Sequence, residues 1–263
     1  VEPVGAQDLG HKLPGLLGLD PAAIPEPGLY LADRVVFYQA DEIRDRQGEI
    51  IPVANVQLHV LGNGSGISYT FAPSQGDLVL TLTASVPVAR LRLNLLDRPE
   101  ASVDRFGLTD FYLQPARVGW RKDRLGLVGS YAVYVPSGIS ILAGGRGLSA
   151  GQVTHQFSAG GTIFTDEDRT AFATALTSYA LNLRKRGIDI TRGDTVQVEG
   201  GAGVRRFNRV LEAGLAGYGL WQVRPDRGTD LPPRLSGARD RVYGLGPELA
   251  LMVTAIRSQI RVR

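Results

Sequence analysis

Along most of this chain, side chains follow a period of two for ten or more residues at a stretch. In 77–88, Leu78, Leu80, Leu82, Ala84, Val86 and Val88 alternate with Asp77, Val79, Thr81, Thr83, Ser85 and Pro87. In 125–135, Leu125, Leu127, Tyr131, Val133 and Val135 share one face. In 210–223, Leu211, Ala213, Leu215, Trp221 and Val223 oppose Glu212, Gly214, Tyr218 and Gln222. Successive side chains of a strand point to opposite faces, so the pattern means strands. Strands of soluble proteins average about 5–6 residues, whereas a tilted strand that crosses a bilayer needs about 9–11. A soluble sandwich or lipocalin-like barrel would also alternate, but strands of this length favour an antiparallel β-barrel in a membrane.

The pattern predicts strands at 28–43, 50–71, 77–88, 109–120, 125–136, 152–164, 170–183, 194–205, 210–223, 241–253 and 255–263, the second kinked at Gly62–Gly66. The connections between them alternate. Those at 89–108, 137–151, 184–193 and 224–240 are long; those at 72–76, 121–124, 165–169, 206–209 and the Val253-Thr254 corner are tight, and 44–49 fits this rhythm least well. Outer-membrane barrels have short periplasmic turns and long extracellular loops, which assigns the tight turns to the periplasm. The chain ends at Arg263 inside an alternating run. Single-chain bacterial barrels close with an even number of strands, so the expectation for 28–263 is a transmembrane barrel lacking its closing strand.

Composition excludes several other readings. No window holds the roughly 18 consecutive apolar residues of a transmembrane helix. Cysteine is absent, so no disulfide framework or thiolate metal site can form. The net charge of +3 is too small to argue for nucleic acid, and neither a basic helix nor an RNA-binding aromatic pair occurs. Glycine stands out, with 33 in 263 residues against an ordinary share of about 7%.

Residues 1–27 are different in kind. Leu13-Pro14-Gly15-Leu16-Leu17-Gly18, then Pro21, Pro25 and Pro27, resist both helix and strand. The segment is apolar, and apolar groups left in water lose free energy. The expectation is an irregular arm that enters the lumen as a plug, with Leu13, Pro14, Leu16 and Leu17 against the inner wall. The competing reading is a disordered periplasmic tail.

On the barrel, strand parity assigns His59, Thr81, Thr83, Asn182, Gln197, Glu199, Arg205 and Glu212 to the lumen, with Arg257 and Arg261. Tyr30, Trp120 and Phe164 at one end, and Tyr134 and Trp221 at the other, are candidates for interface girdles. Arg184, Lys185 and Arg186 lie on an outer loop, where Arg can bind lipopolysaccharide phosphate bidentately. Asp226, Asp230 and Asp240 read as a charged loop paired with its own arginines rather than a divalent-cation site. No His or Cys pair has metal-ligand spacing, and no cofactor is expected. His155 lies near Ser158, but no acid is near in sequence, so no catalytic residue is assigned. Gly200-Gly201-Ala202-Gly203 lacks the Lys-Ser/Thr ending of a phosphate loop.

Several blocks resemble an outer-membrane channel family named for a meta-pathway of phenol degradation. They are Pro27-Gly28-Leu29-Tyr30, Leu108-Thr109-Asp110-Phe111-Tyr112-Leu113-Gln114-Pro115 with Gly119-Trp120, Tyr134-Val135-Pro136-Ser137-Gly138, and Tyr243-Gly244-Leu245-Gly246-Pro247-Glu248. They occur in the family's order over nearly the whole chain. The resemblance implies a barrel of about twelve strands in the bacterial outer membrane. It also implies passive uptake of small hydrophobic or aromatic molecules and no enzymatic activity. A monomer among outer-membrane lipids and lipopolysaccharide is the matching expectation for partners. An outer-membrane lipid-modifying enzyme and a structural or adhesive barrel are the alternatives.

Overall fold

The computed structural model describes residues 11, 14–41, 56–73, 76–95, 102–140, 143–208, 210–231, 237, 239–253 and 258–262. The predicted plug residue Leu13, the connection 44–49, the corner at Thr254 and the lumen candidate Arg257 lie outside the described residues. Twelve strands form one antiparallel sheet: β1 (Gly28–Ala40), β2 (Val56–Phe71), β3 (Leu78–Leu95), β4 (Val103–Leu108), β5 (Phe111–Lys122), β6 (Leu125–Val135), β7 (Thr154–Phe164), β8 (Ala171–Asn182), β9 (Thr195–Arg206), β10 (Leu211–Gln222), β11 (Arg241–Val253) and β12 (Ser258–Val262). Sequence neighbours pair in order around the wall, except that β4 and β5 lie end to end along the same edge of β3. The wall is therefore eleven strands wide. Among the described residues no ladder joins β1 to β12.

Two features depart from the sequence expectation. The stretch 89–108, expected as a loop, holds the far end of β3 and the whole of β4. Alternation continues there as Arg90, Leu91, Arg92 and Leu93 against Val103, Asp104 and Arg105, and Asp104 bonds both Arg90 (2.8 Å) and Arg92 (3.1 Å) across the ribbon. Charged residues disguised this continuation of the wall, which β2 also lines. The kink expected at Gly62–Gly66 also fails: β2 keeps unbroken register with both neighbours. The irregularity is in β5, where Pro115 and Ala116 together face Leu82 of β3. Proline has no N–H to give a ladder, so a bulge is where it fits. The extra residue brings Gln114 and Arg117 to the same, inner face.

The sheet is inside out by the standards of a soluble protein. Its outward residues are apolar and open: Leu31 is 81% exposed and Leu245 78%, with Phe37, Ile163, Leu215 and Phe157 also exposed. Its hidden residues are polar, among them Thr81, Gln156, Ser178, Asn182, Gln197, Glu212 and Glu248. Such an exterior is costly in water and stable in lipid, and charges within a membrane protein belong on the inner side.

Connection lengths sort by end. At one end the described links are 72–77, 123–124, 165–170 and 207–210; at the other they include 136–153, 183–194 and 223–240. Among the described residues, the four non-glycine residues with positive φ, Asp123, Arg169, Phe207 and Asn208, sit at the tight-turn end, as two- to six-residue reversals demand. The long links are tied together. Thr191 and Arg227 form a bridge, Lys185 Nζ donates to the Ala150 carbonyl, and Asp189 accepts from Thr229. Single cysteines at Gly147, where an added Cβ meets nothing, and at Asp230 should react with an impermeant thiol reagent on intact cells, and cysteines at Lys122 and Asp166 should not. The reverse pattern would invert the assignment of the long-loop end to the exterior.

Candidate functional site: the occupied lumen

Strand parity puts a polar ladder on the inner wall. Thr81 shares a hydrogen bond with Thr70, and Thr83 with Ser68. Asn182, Gln197, Glu199, Arg205 and Glu212 are on that face and largely hidden. His59, expected in the lumen, is a correction: on the unbroken β2 it shares parity with the outward Leu61 and Tyr69 rather than with Ser68 and Thr70, so it lies on the outer face opposite Arg92. The inner face also takes two rings expected at the lipid interface. Phe164 and Tyr134 share parity with Thr162 and Ala132, both hidden, so they point inward. Phe164 packs on Phe172 and Leu19, and Tyr134 stacks on His11. Trp221 stays outside, its indole N–H donating to the Tyr243 hydroxyl at 2.8 Å.

The arm runs through this interior. Ile24 lies over Gly119 and Gly126 near the tight turns, and Arg121 donates to the Ile24 carbonyl and to Glu26. Arg117 holds the carbonyls of Pro21 and Ala23 at 3.1 and 2.9 Å. Asp20 accepts from Arg205 (2.8 Å), which also donates to Glu212 (2.8 Å). Arg261 joins Glu212 to Glu248 at 3.0 and 2.7 Å. Glu248 in turn accepts the backbone N–H of Leu19, and Glu199 that of Leu17. At the long-loop end, His11 lies between Asp110 and Thr154. A chain without regular structure carries unpaired amides and carbonyls, and the wall's charged groups satisfy them.

Apolar contacts follow the same path. Leu19 is 0% exposed, held by Phe164, Phe172 and Ala216. Leu17, Ala22 and Ile24 meet Val128 and Leu176. Pro14 and Leu16 are half-buried. The wall makes room with glycine: a Cβ on Gly201, Gly203 or Gly214 would come within 2.8–2.9 Å of the Leu19 methyls. The run rejected as a phosphate loop is thus the seat of Leu19. Within the arm, Gly18 has φ of +69° and a Cβ there would meet Glu248 Oε2 at 2.2 Å, so no other residue fits.

Sequence reasoning assigned the lumen set by parity but missed Leu19, Asp20, His11, Arg117, Asp110 and Glu248. Asp110 and Glu248 stand inside blocks noticed for their family resemblance; His11, Leu19 and Asp20 carried no signal of their own. Lys185, proposed as a lipopolysaccharide contact, is a correction. It is 4% exposed with its amine on the Ala150 carbonyl, because the long loops fold over it. Arg184 and Arg186 are exposed.

Two cavities flank the arm. One of about 270 Å³ at the tight-turn end is bordered by Ile24, Arg121, Phe164, Arg205, Met252 and Arg261. The other, about 20 Å³, lies beside His11 and Tyr134. Asp110 anchors that end. Burial alone would push its carboxyl up, but hydrogen bonds from His11, Ser149 and the Ser137 amide, with the charge of His11, hold it below the usual carboxylate range. Leu19→Ala should weaken docking of the arm by about 2–5 kcal/mol, the cost of emptying a filled apolar seat. Limited proteolysis should then cut between Pro14 and Pro27 faster than in the parent, with strand content unchanged by circular dichroism. Equal protection of both arms would remove Leu19 as the anchor.

A family model described as Putative MetA-pathway of phenol degradation matches residues 40–257. The crystal structure of an outer-membrane channel from Pseudomonas putida F1 superposes with a TM-score of 0.73 at 10% sequence identity, covering 89% of this chain and 85% of that one. At that identity the likeness is one of fold. No curated protein matches the chain. The shared fold, the apolar exterior and the polar interior are those of a membrane-spanning β-barrel. The family match spans most of the barrel, and the chain belongs to the family described as Putative MetA-pathway of phenol degradation.

Proposed function

We propose that the chain is an outer-membrane channel for passive uptake of small hydrophobic or aromatic molecules, with residues 1–27 as a lumen plug and the barrel from Gly28 onward as the conduit. The observation that carries this reading is the occupied lumen. Arm residues Leu17, Leu19, Ala22 and Ile24 lie on wall patches formed by Val128, Leu176, Phe164 and Phe172. Withdrawal of the arm would uncover those patches along the barrel axis. An apolar solute could then occupy what the arm had occupied, which supports a hydrophobic cargo better than the polar ladder alone would. The relative from Pseudomonas putida, itself an outer-membrane channel, lends weight to conduction.

Asp110, His11 and Thr154 form a row of acid, imidazole and hydroxyl reminiscent of a hydrolase. The Thr154 hydroxyl gives its proton to Asn182 Oδ1 at 2.6 Å, so the imidazole is not placed to take it. The arrangement fits a latch and gives the enzyme reading no support.

Deleting residues 1–24 should raise single-channel conductance in planar bilayers and speed uptake of a hydrophobic test compound into vesicles. An unchanged rate and conductance in a correctly assembled barrel would mean that the arm is no plug. Lipopolysaccharide contacts are proposed for Arg184 and Arg186, without Lys185. Replacing both arginines by Gln should reduce co-purifying lipopolysaccharide, and undiminished co-purification would count against the contact.

A further inference from the structure

At the long-loop end the arm presents one ring to the wall, and the wall receives it on three sides. His11 Nε2 lies 2.5 Å from Asp110 Oδ2, and Nδ1 2.9 Å from Thr154 Oγ1. Its ring stacks on Tyr134 with centroids 4.9 Å apart and planes 20° from parallel. The partners determine where the protons are. Asn182 Nδ2 donates to the Gly193 carbonyl, so Asn182 Oδ1 is the acceptor met by Gln152 Nε2 at 3.1 Å and by the Thr154 hydroxyl at 2.6 Å. A hydroxyl has one proton to give. With that proton on Asn182, the Thr154 oxygen can only accept, and His11 Nδ1 must donate. Asp110 accepts only, so Nε2 donates as well. The wall therefore offers a flat aromatic platform and two acceptors, matched to a planar ring with two donors.

The site is not full. The cavity of about 20 Å³ beside the ring is bordered by Tyr134, Thr154, Asn182 and Gln197. Gln197 is 4% exposed, and its Nε2 is buried without a hydrogen-bond partner. A ring slightly larger than imidazole that carries its donors as hydroxyls would fill that space, and a hydroxyl oxygen could accept from the Gln197 amide. Arg192 also borders the cavity, ion-paired to Asp240 at 3.5 Å. The charge at the ring's edge is the Asp110 carboxylate, which disfavours anions.

We propose that this is a recognition site for a small planar ring carrying two hydrogen-bond donors, neutral or cationic, and that His11 occupies it in the solute's place. Solute and arm then compete for the same seat, and occupancy by the solute frees the outer end of the arm. The inference rests on the reading of the arm as a displaceable plug, and names what displaces it.

The test uses the full chain folded in detergent, where binding is read by calorimetry and conduction plays no part. The probes are protonated imidazole and 1,3-dihydroxybenzene, with benzene, cyclohexane-1,3-diol and benzoate as controls. His11→Ala should bind both probes about tenfold or more tightly than the parent, because the tethered ring competes at an effective concentration on the order of millimolar. The controls, which lack the donors, the flat ring or the right charge, should bind at least about tenfold more weakly. Adding Tyr134→Leu should abolish binding. If His11→Ala does not fold, the chain lacking residues 1–12 carries the same measurement. Equal affinity of parent and variant, or no preference over the controls, overturns the site. Selective binding with no effect of the probes or of arm deletion on conductance keeps the site and overturns the plug.

Discussion

Three glutamates, Glu199, Glu212 and Glu248, point into an interior that water barely reaches, and the barrel's contents are arranged around them. Taking an ion out of water costs several kcal/mol unless charge and hydrogen bonds compensate. Arg205 and Arg261 supply part of the compensation from the wall, linking Glu212 to Asp20 on one side and to Glu248 on the other. The arm adds backbone N–H groups, Leu17 to Glu199 and Leu19 to Glu248. Arm and wall thus solve each other's problem: the arm has amides and carbonyls with no ladder to join, and the wall has charges with no solvent. The register of the arm follows from this exchange, since the turn at Gly15–Gly18 is what aims the Leu19 amide at Glu248.

Five of the wall's glycines have the same origin. In a barrel wall, a side chain is normally needed on both faces, outward for lipid and inward for packing. Gly201, Gly203 and Gly214 give up the inward side chain where Leu19 enters, and Gly119 and Gly126 do so for Ile24. Inner-wall glycines of this kind are shaped by the arm rather than by the strands they interrupt.

The strands were legible because a period of two is a property of the sequence itself, and length decided between soluble and membrane barrels. β4 was not, because its alternation is carried by charged residues on both faces and no apolar face marks it. Phe164 and Tyr134 show a second limit. Their aromatic character suggested the interface, but parity with Thr162 and Ala132 decides the face, and the arm explains why large rings are tolerated inside. Of the arm, sequence could tell that it was apolar and irregular. It could not tell that Leu19 rather than Leu16 would be the deepest residue, because that depends on three glycines from two strands meeting at one height. Lys185 failed for a similar reason: loop charges count as exposed until another loop is found lying over them.

The two kinds of contact that hold the arm differ in what can replace them, and this bears on the proposed cargo. Carboxylates and guanidinium groups released by the arm can be satisfied by water or by one another, since Arg205 and Arg261 already bridge Glu212 and Glu248 without it. The seat around Leu19 has no such recourse. Once emptied, its rings and glycine backbone would face water at a cost of about 25 cal/mol per Å² of apolar surface. An apolar solute entering the lumen offsets that cost, whereas an ion or a sugar does not. An arm with polar anchors that water can serve, and apolar anchors at Leu19 and along Leu17, Ala22 and Ile24 that water cannot, is one that the proposed apolar cargo would displace readily, without an apolar wall throughout the barrel.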